Sequence, residues 1–380
     1  MRKVGLVTLW KRNYGSVLQC YATKKTVEKM GYECVLLYRT FPGVARYIYY
    51  VQELTRVVIN SVRYRGYLKK YISLRNAGNK SISSLSDVSA NNLDQFVQAV
   101  IQPKGYSYLK LKEIGKSKDY VAFIAGSDQI WNIARRYDPI AFLDFVADKI
   151  KIALAPSFGT ESQFYNSKTL KKAIKKFDYL SARELDGVEK IKGLTGRKAP
   201  LLSDPTVLLS LEEWNEFSST AKSIEGRYIF VHFLDAPCKE ALNAIKELHS
   251  KAGIPVVAFA YPHEEYSGVK ELTFYDGGVQ EYVKYINEAQ YVITDSFHTT
   301  MFSIYFNRSF FTFCRQYRHS VSQNVRITNL LSLYGLEERL IVDSDTFSYM
   351  WNSKLKDCTE IVEQERGKLM QYLNESLSKV

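Results

Sequence analysis

The run Lys3–Arg39, KVGLVTLWKRNYGSVLQCYATKKTVEKMGYECVLLYR, decides how this chain folds. Lys3–Trp10 is a short β-rich stretch, and Lys11–Gly15 is a polar turn. From Ser16 to Met30 the residues Val17, Leu18, Tyr21, Val27 and Met30 fall roughly on one helical face. Gly31 supplies the stop, and Tyr32–Arg39 is the next apolar strand. A strand, glycine turn, helix and strand in that order form a βαβ crossover, which places the two strands parallel in one sheet.

The same rhythm extends outward. Further strands are expected at Tyr120–Ala125, Lys151–Ala155, Asp178–Ser181 and Leu201–Ser203. A second series follows, with strands at Tyr228–Leu234, Ile254–Ala260, Tyr291–Thr294 and Ser309–Phe313. Helices are expected at Lys239–Lys251, Val279–Glu288, Thr299–Phe306, Arg326–Tyr334 and Cys358–Leu377. The acidic, Ser-rich stretch Glu212–Gly226 separates the two series. The chain therefore reads as an α/β protein of two Rossmann-like domains, 1–210 and 211–350, with a C-terminal helix in 351–380. Paired open α/β sheets hold their ligand in the cleft between them, at the carboxyl ends of the strands.

Composition agrees. The 380 residues are 46% hydrophobic and 24% charged, enough for two packed cores. No apolar run is long enough for a spanning helix. The basic start, Met1-Arg2-Lys3, leads into a short apolar run that ends at Lys11-Arg12, so it reads as a first strand and not a signal peptide. Five scattered cysteines without a CxxC pair fit a reducing, cytoplasmic setting and give no zinc motif, so no metal is expected.

The net charge of +12 is unevenly spread. Residues 46–75 hold Arg46, Arg56, Arg63, Arg65, Lys69, Lys70 and Arg75 against Glu53, a net +6, together with six tyrosines. Such a segment suits a helix lying on an anionic lipid surface, on the inner face of the plasma membrane. The same composition can track a single strand of nucleic acid or a polyanionic glycan, and a solvated insertion explains it as well. No zinc-finger, RNA-recognition or basic-zipper pattern accompanies it, so no nucleic-acid partner is expected.

Four strand-end segments can carry chemistry. Asn13-Tyr14-Gly15-Ser16 is a glycine turn whose helix-start N–H groups can accept an anion, although an ordinary βα turn explains it equally. Gly126-Ser127-Asp128-Gln129-Ile130-Trp131-Asn132 sets small and polar groups beside an aromatic, which suits a sugar. There Asp128 can act as a base and Trp131 can cover a pyranose face, while a capped turn is the plainer reading. Arg183, directly after a strand, can fork onto a carboxylate or phosphate or simply pair with Glu184, and Asp204 reads as a structural turn. Thr294-Asp295-Ser296-Phe297-His298 ends a buried strand with a histidine at the entry to a helix, placed for acid–base work unless it is a core histidine. Arg326 opens a later helix. No P-loop, HExxH, GxSxG or complete GxGxxG occurs.

In this order, Asn13–Gln19, Gly126–Asn132, Ser181–Glu184, Ser203–Thr206, Thr294–His298 and Arg326-Ile327 resemble the polysaccharide pyruvyl transferase family. The resemblance spans roughly residues 4–340 and omits the basic segment. It implies a GT-B-like pair of domains. It also implies transfer of the enolpyruvyl group of phosphoenolpyruvate onto two hydroxyls of a sugar, with release of phosphate, in capsule or exopolysaccharide synthesis. No cofactor is implied; phosphoenolpyruvate is the donor substrate, and the acceptor is a sugar carried on a lipid.

By that resemblance His298 is catalytic and Arg183 is the family's arginine; the chemistry of the residues themselves adds the rest, with Asp128 or Asp295 taking the hydroxyl protons. Arg183, Arg326, Ser296, Asn13, Gly15 and Ser16 hold the donor. Gly126, Ser127, Asp128, Gln129 and Trp131 hold the acceptor. Many members have Arg-Leu-His where this chain has Ser296-Phe297-His298, and Arg326, Arg315 or Arg318 can replace the missing charge. The rival reading is a nucleotide-sugar glycosyltransferase on the same plan, for which Glu264, Glu265 and Asp276 are weak ribose ligands. A non-catalytic binder of anionic glycans is the third.

Overall fold

The computed structural model describes residues 1–379 apart from 12, 42, 64, 70, 71, 73–83, 133–136, 160–166 and 316–323. Among the described residues, β1 (Lys3–Val7), β2 (Glu33–Arg39), β3 (Lys104–Tyr106), β4 (Tyr120–Ala125) and β5 (Ile150–Ala153) form one sheet, ordered β3-β2-β1-β4-β5. A second sheet contains β6 (Ile229–His232), β7 (Val256–Phe259), β8 (Leu272–Tyr275), β9 (Tyr291–Thr294), β10 (Ser309–Phe313) and β11 (Leu340–Ile341), ordered β11-β10-β9-β6-β7-β8. Every paired strand is parallel. The order of connection reverses between β1 and β4 in the first sheet and between β6 and β9 in the second. A crevice opens at such a switch point, beyond the carboxyl ends of the two strands.

Two expected strands shrink to single bridges, Ile152 with Tyr179 and Ala182 with Leu201. The Ser181 hydroxyl explains the first: it donates to the Ala153 carbonyl and accepts from the Ala155 N–H at 2.8 Å. A side chain thereby takes the place of ladder hydrogen bonds that a strand would make. The short strands β3, β8 and β11 carry no alternation long enough to read from sequence.

Helix α1 (Tyr14–Lys29) joins the sheets. Asn13 caps it, accepting from the Ser16 N–H at 3.1 Å. It is buried on most of its circumference, as a helix between two layers must be. Its first residue, Tyr14, stacks on Tyr282 at 4.9 Å and donates to the Gly277 carbonyl at 2.6 Å, both in the second half of the chain. One continuous apolar cluster accordingly runs from Val4, Leu6 and Leu18 to Phe230, Tyr282 and Phe302. The last helix, Thr359–Leu377, crosses back over the first half: Tyr372 donates to the Ala153 carbonyl at 2.9 Å and Arg366 to the Val207 carbonyl at 2.8 Å.

Helix α2 (Val44–Arg63) overlaps the basic segment 46–75, whose Tyr64, Lys70, Tyr71 and Arg75 fall outside the described residues. Among the described residues no helix is long and apolar enough to cross a membrane.

Candidate active site

Both switch points open into one cavity of about 170 Å³. The end of β1 contributes Asn13 and Ser16, and the end of β4 contributes Asp128 and Gln129. From the second sheet come Leu234 after β6, then Asp295, Ser296, Phe297 and His298 after β9. Arg315 follows β10, and Arg326 with Ile327 opens the Val325–Tyr334 helix. Arg318 lies outside the described residues.

His298 occupies the second position of the Phe297–Tyr305 helix, where Ser296 is the cap and accepts from the Thr299 N–H at 3.4 Å. Its imidazole reaches across to the first half of the chain. Its Nε2 lies 3.6 Å from Asp204 Oδ2. On its other side the ring rests on Gly15: a Cβ there would sit 2.0 Å from the ring carbon Cγ and from Nδ1. Only a glycine leaves room for this imidazole.

Asp204 also caps its own short turn, accepting from the Thr206 N–H at 3.1 Å, and receives Arg183 Nη1 at 2.7 Å. Arg183 is enclosed, with Glu184 at 3.3 Å and Asp128 at 3.7 Å. Asp128 in turn accepts from the Ser16 hydroxyl at 2.5 Å and lies 3.8 Å from Arg326. Burial alone would raise the Asp204 and Asp128 carboxyls. The contact with His298 and then Arg183 outweighs burial at Asp204, holding it far below the usual carboxylate range. At Asp128 the charges of Arg183, His298 and Arg326 do the same. Burial prevails at Glu184, whose carboxyl is pushed up despite Arg183.

Asp128 also has an unusual backbone, with φ 58° and ψ −167°. That region is nearly glycine-only and costs about 1–3 kcal/mol. Its carbonyl is pinned by the N–H groups of Ile130 and Ser157, each at 2.8 Å, so the sheet edge enforces the strain that aims the carboxylate at the cavity.

Several expectations change. Trp131 is fully buried, stacked on Phe142 at 5.4 Å with its indole N–H donating to the Ala141 carbonyl at 3.0 Å. It belongs to the core and has no face for a sugar. Ser127 is buried and donates to the Ala155 carbonyl at 2.8 Å, while Gly126 packs on Thr8, where a Cβ would come within 2.7 Å. Both shape the turn. Arg183 is held by three carboxylates and does not line the cavity; among the described residues the guanidiniums that do line it are Arg315, itself 3.4 Å from Asp295 and 3.8 Å from Asp235, and Arg326. Gly15 acts as the seat of His298. Asp276 accepts from the hydroxyls of Ser86 and Ser89, and Glu264 and Glu265 are exposed on a short turn, so none of the three faces the cavity.

Sequence reasoning missed the part Asp204 plays beside His298, because its Asp-Pro-Thr setting carries only a turn signal. It also missed Phe297, whose ring has the Arg183 guanidinium at 4.5 Å and that of Arg326 at 5.8 Å, within cation–π reach. Among the described residues no three His, Cys, Asp or Glu side chains converge as metal ligands.

No curated protein matches the chain in sequence. Among solved structures it is similar to UDP-GlcNAc 2-epimerase from Neisseria meningitidis bound to UDP-GlcNAc, with TM-score 0.55, 9% identity, and 100% of each chain covered. It is also similar to the Methanocaldococcus jannaschii UDP-GlcNAc 2-epimerase in complex with UDP-GlcNAc and UDP, with TM-score 0.50, 10% identity, and 98% of this chain and 100% of that one covered. At such identities the likeness concerns the fold, which is GT-B-like. A family model described as polysaccharide pyruvyl transferase matches residues 13–314.

Proposed function

The chain belongs to the polysaccharide pyruvyl transferase family and is an enzyme, and from this premise we propose that its cavity binds phosphoenolpyruvate and pyruvylates a sugar. The acceptor is a sugar of a cell-surface polysaccharide or its lipid-linked repeat unit. One observation carries the reading: His298, backed by Asp204, shares one small cavity with Arg315 and Arg326. Phosphoenolpyruvate presents a phosphate and a carboxylate, and two guanidiniums answer both. Asn13 and Ser16 line the same cavity at the start of α1, with the Ser16 N–H given to Asn13 and its hydroxyl to Asp128.

The reaction begins when protonated His298 gives its proton to the methylene carbon C3, leaving C2 electrophilic. A sugar hydroxyl adds to C2, and the C2–O bond to phosphate breaks. A second hydroxyl of the same sugar then closes the ketal. One hydroxyl proton returns to His298 and the other leaves with phosphate, so the balance is phosphoenolpyruvate plus diol giving ketal plus phosphate. Asp128 is the carboxylate for steering the attacking hydroxyl, with Gln129 beside it on the acceptor side. Asp295 is less suited, since it already accepts from the Leu234 and Asp235 N–H groups at 2.7 and 3.1 Å. Arg183 supports the site from behind by holding Asp128 and Asp204.

Calorimetric titration of phosphoenolpyruvate into the wild type, Arg326→Ala and His298→Ala tests the donor. Saturable binding that is lost in Arg326→Ala and kept in His298→Ala is the expected result. Binding of a nucleotide sugar with none of phosphoenolpyruvate would overturn the reading.

A further inference from the structure

We propose that α2 docks the protein on an anionic bilayer surface, laying an outward apolar stripe among the lipids while the basic residues beyond it meet the headgroups. Tyr47, Val51, Leu54, Val58 and Val62 recur at helical spacing, so they share one face. They are 73%, 45%, 64%, 62% and 84% exposed. Among the described side chains of α2, Val57 and Asn60 turn toward the body, at 8% and 5% exposure. A helix of a globular protein normally does the reverse, burying its apolar stripe and wetting its polar side. Here a stripe of five apolar side chains is left to meet something outside the molecule.

Charge identifies that partner. Arg63, Arg65 and Lys69 are exposed directly after the stripe, and Leu68 and Ile72 carry exposed apolar surface on alongside them. The segment 46–75 has a net +6. A second copy of the chain would set +6 against +6, whereas an anionic lipid surface offers apolar depth and opposite charge together.

The position is also apt. β2 neighbours β1 in a parallel sheet, so their carboxyl ends lie along one edge. Arg39 ends β2 and Val44 begins α2, so the helix leaves the sheet at the edge where Asn13 and Ser16 open the cavity. The purpose of this arrangement rests on the pyruvyl transfer reading: a sugar on a lipid carrier would be met where the carrier is embedded.

The test is sedimentation of the full chain with vesicles of phosphatidylglycerol and phosphatidylcholine in equal parts, and with phosphatidylcholine alone. The wild type should pellet with the anionic vesicles, and Leu54→Asp with Val58→Asp should bind them at least about tenfold more weakly. Both positions face solvent, so an unchanged thermal melt keeps the comparison clean. Arg63→Glu with Arg65→Glu should also weaken binding and flatten its salt dependence. Failure of the wild type to pellet, or equal pelleting of the aspartate pair, overturns the proposal. So does a wild-type dimer that the aspartate pair converts to monomer, which would assign the stripe to a second copy. Ketal formation on a water-soluble sugar is followed in parallel. Docking lost with transfer intact rejects this inference alone, and docking intact without transfer rejects the pyruvyl reading alone.

Discussion

Two residues that carry no chemistry themselves decide whether His298 can act. Gly15 is the floor under the imidazole, and a methyl group there would overlap ring atoms at 2.0 Å. Gly15→Ala should therefore push the ring off its place and lower kcat by about 100-fold, the scale expected for a shift of roughly 1 Å in a catalytic group. Its thermal melt should move by only about 1–3 kcal/mol, the usual cost of local overpacking. Asp204 is the second. Asp204→Asn keeps the shape but removes the charge facing Arg183 at 2.7 Å and His298 at 3.6 Å. The variant should lose about 3 kcal/mol of stability, as when a buried ion pair is broken. The role of Asp204 in positioning His298 shows in a kcat–pH profile displaced from that of the wild type at little-changed KM for phosphoenolpyruvate. A profile identical to the wild type would leave Asp204 with only its structural part.

At the scale of elements, the sequence was most legible where a strand was continuously apolar and closed by a turn. The strands Tyr291–Thr294 and Ser309–Phe313 and the helix Val279–Glu288 are found at the residues expected of them. Period and punctuation suffice there, because the parallel strands are buried on both faces. The sequence was least legible where side chains replaced backbone pairing, as Ser181 does beside Ala153. Within the cavity, His298 and Asp128 are brought together because they follow strand ends, where parallel sheets gather their ligand contacts, while Arg326 arrives at the start of a helix. Burial within the turn Gly126–Trp131 could not be read, since a tryptophan before a polar residue looks the same whether it faces a sugar or a core. Kinetics and melting can separate the two. Trp131→Phe should leave the acceptor KM within about twofold while costing about 1–3 kcal/mol, the range for imperfect repacking of a large core ring. A large rise in acceptor KM would return Trp131 to the sugar.

Across the whole molecule, the two sheets are joined by one core, and that core contains a titratable group the chemistry does not use. His232 ends β6 among Tyr14, Tyr261 and Tyr282, with ring centroids 5.1–6.1 Å away. Burial first, and then the charges of His263 and Arg315, push it down to about 3 from an ordinary 6.5. The sign follows. The fold holds His232 neutral, so its contribution to stability is complete above pH 6.5 and is lost as the pH falls toward 3. Between pH 6.5 and 5 the wild type should lose about 2 kcal/mol more than His232→Phe, by the usual 1.4 kcal/mol per unit. Denaturant titrations at the two pH values check this, and parallel losses in both proteins would reject it. The join between the sheets has one more consequence, through the seat of His298. Its ring belongs to one half of the chain, while its floor and its carboxylate belong to the other. Under the proposed chemistry neither half of the chain carries a complete proton donor: the acid comes from one side and its seat and counter-charge from the other, so the shared core that welds the sheets together is also what assembles the catalyst.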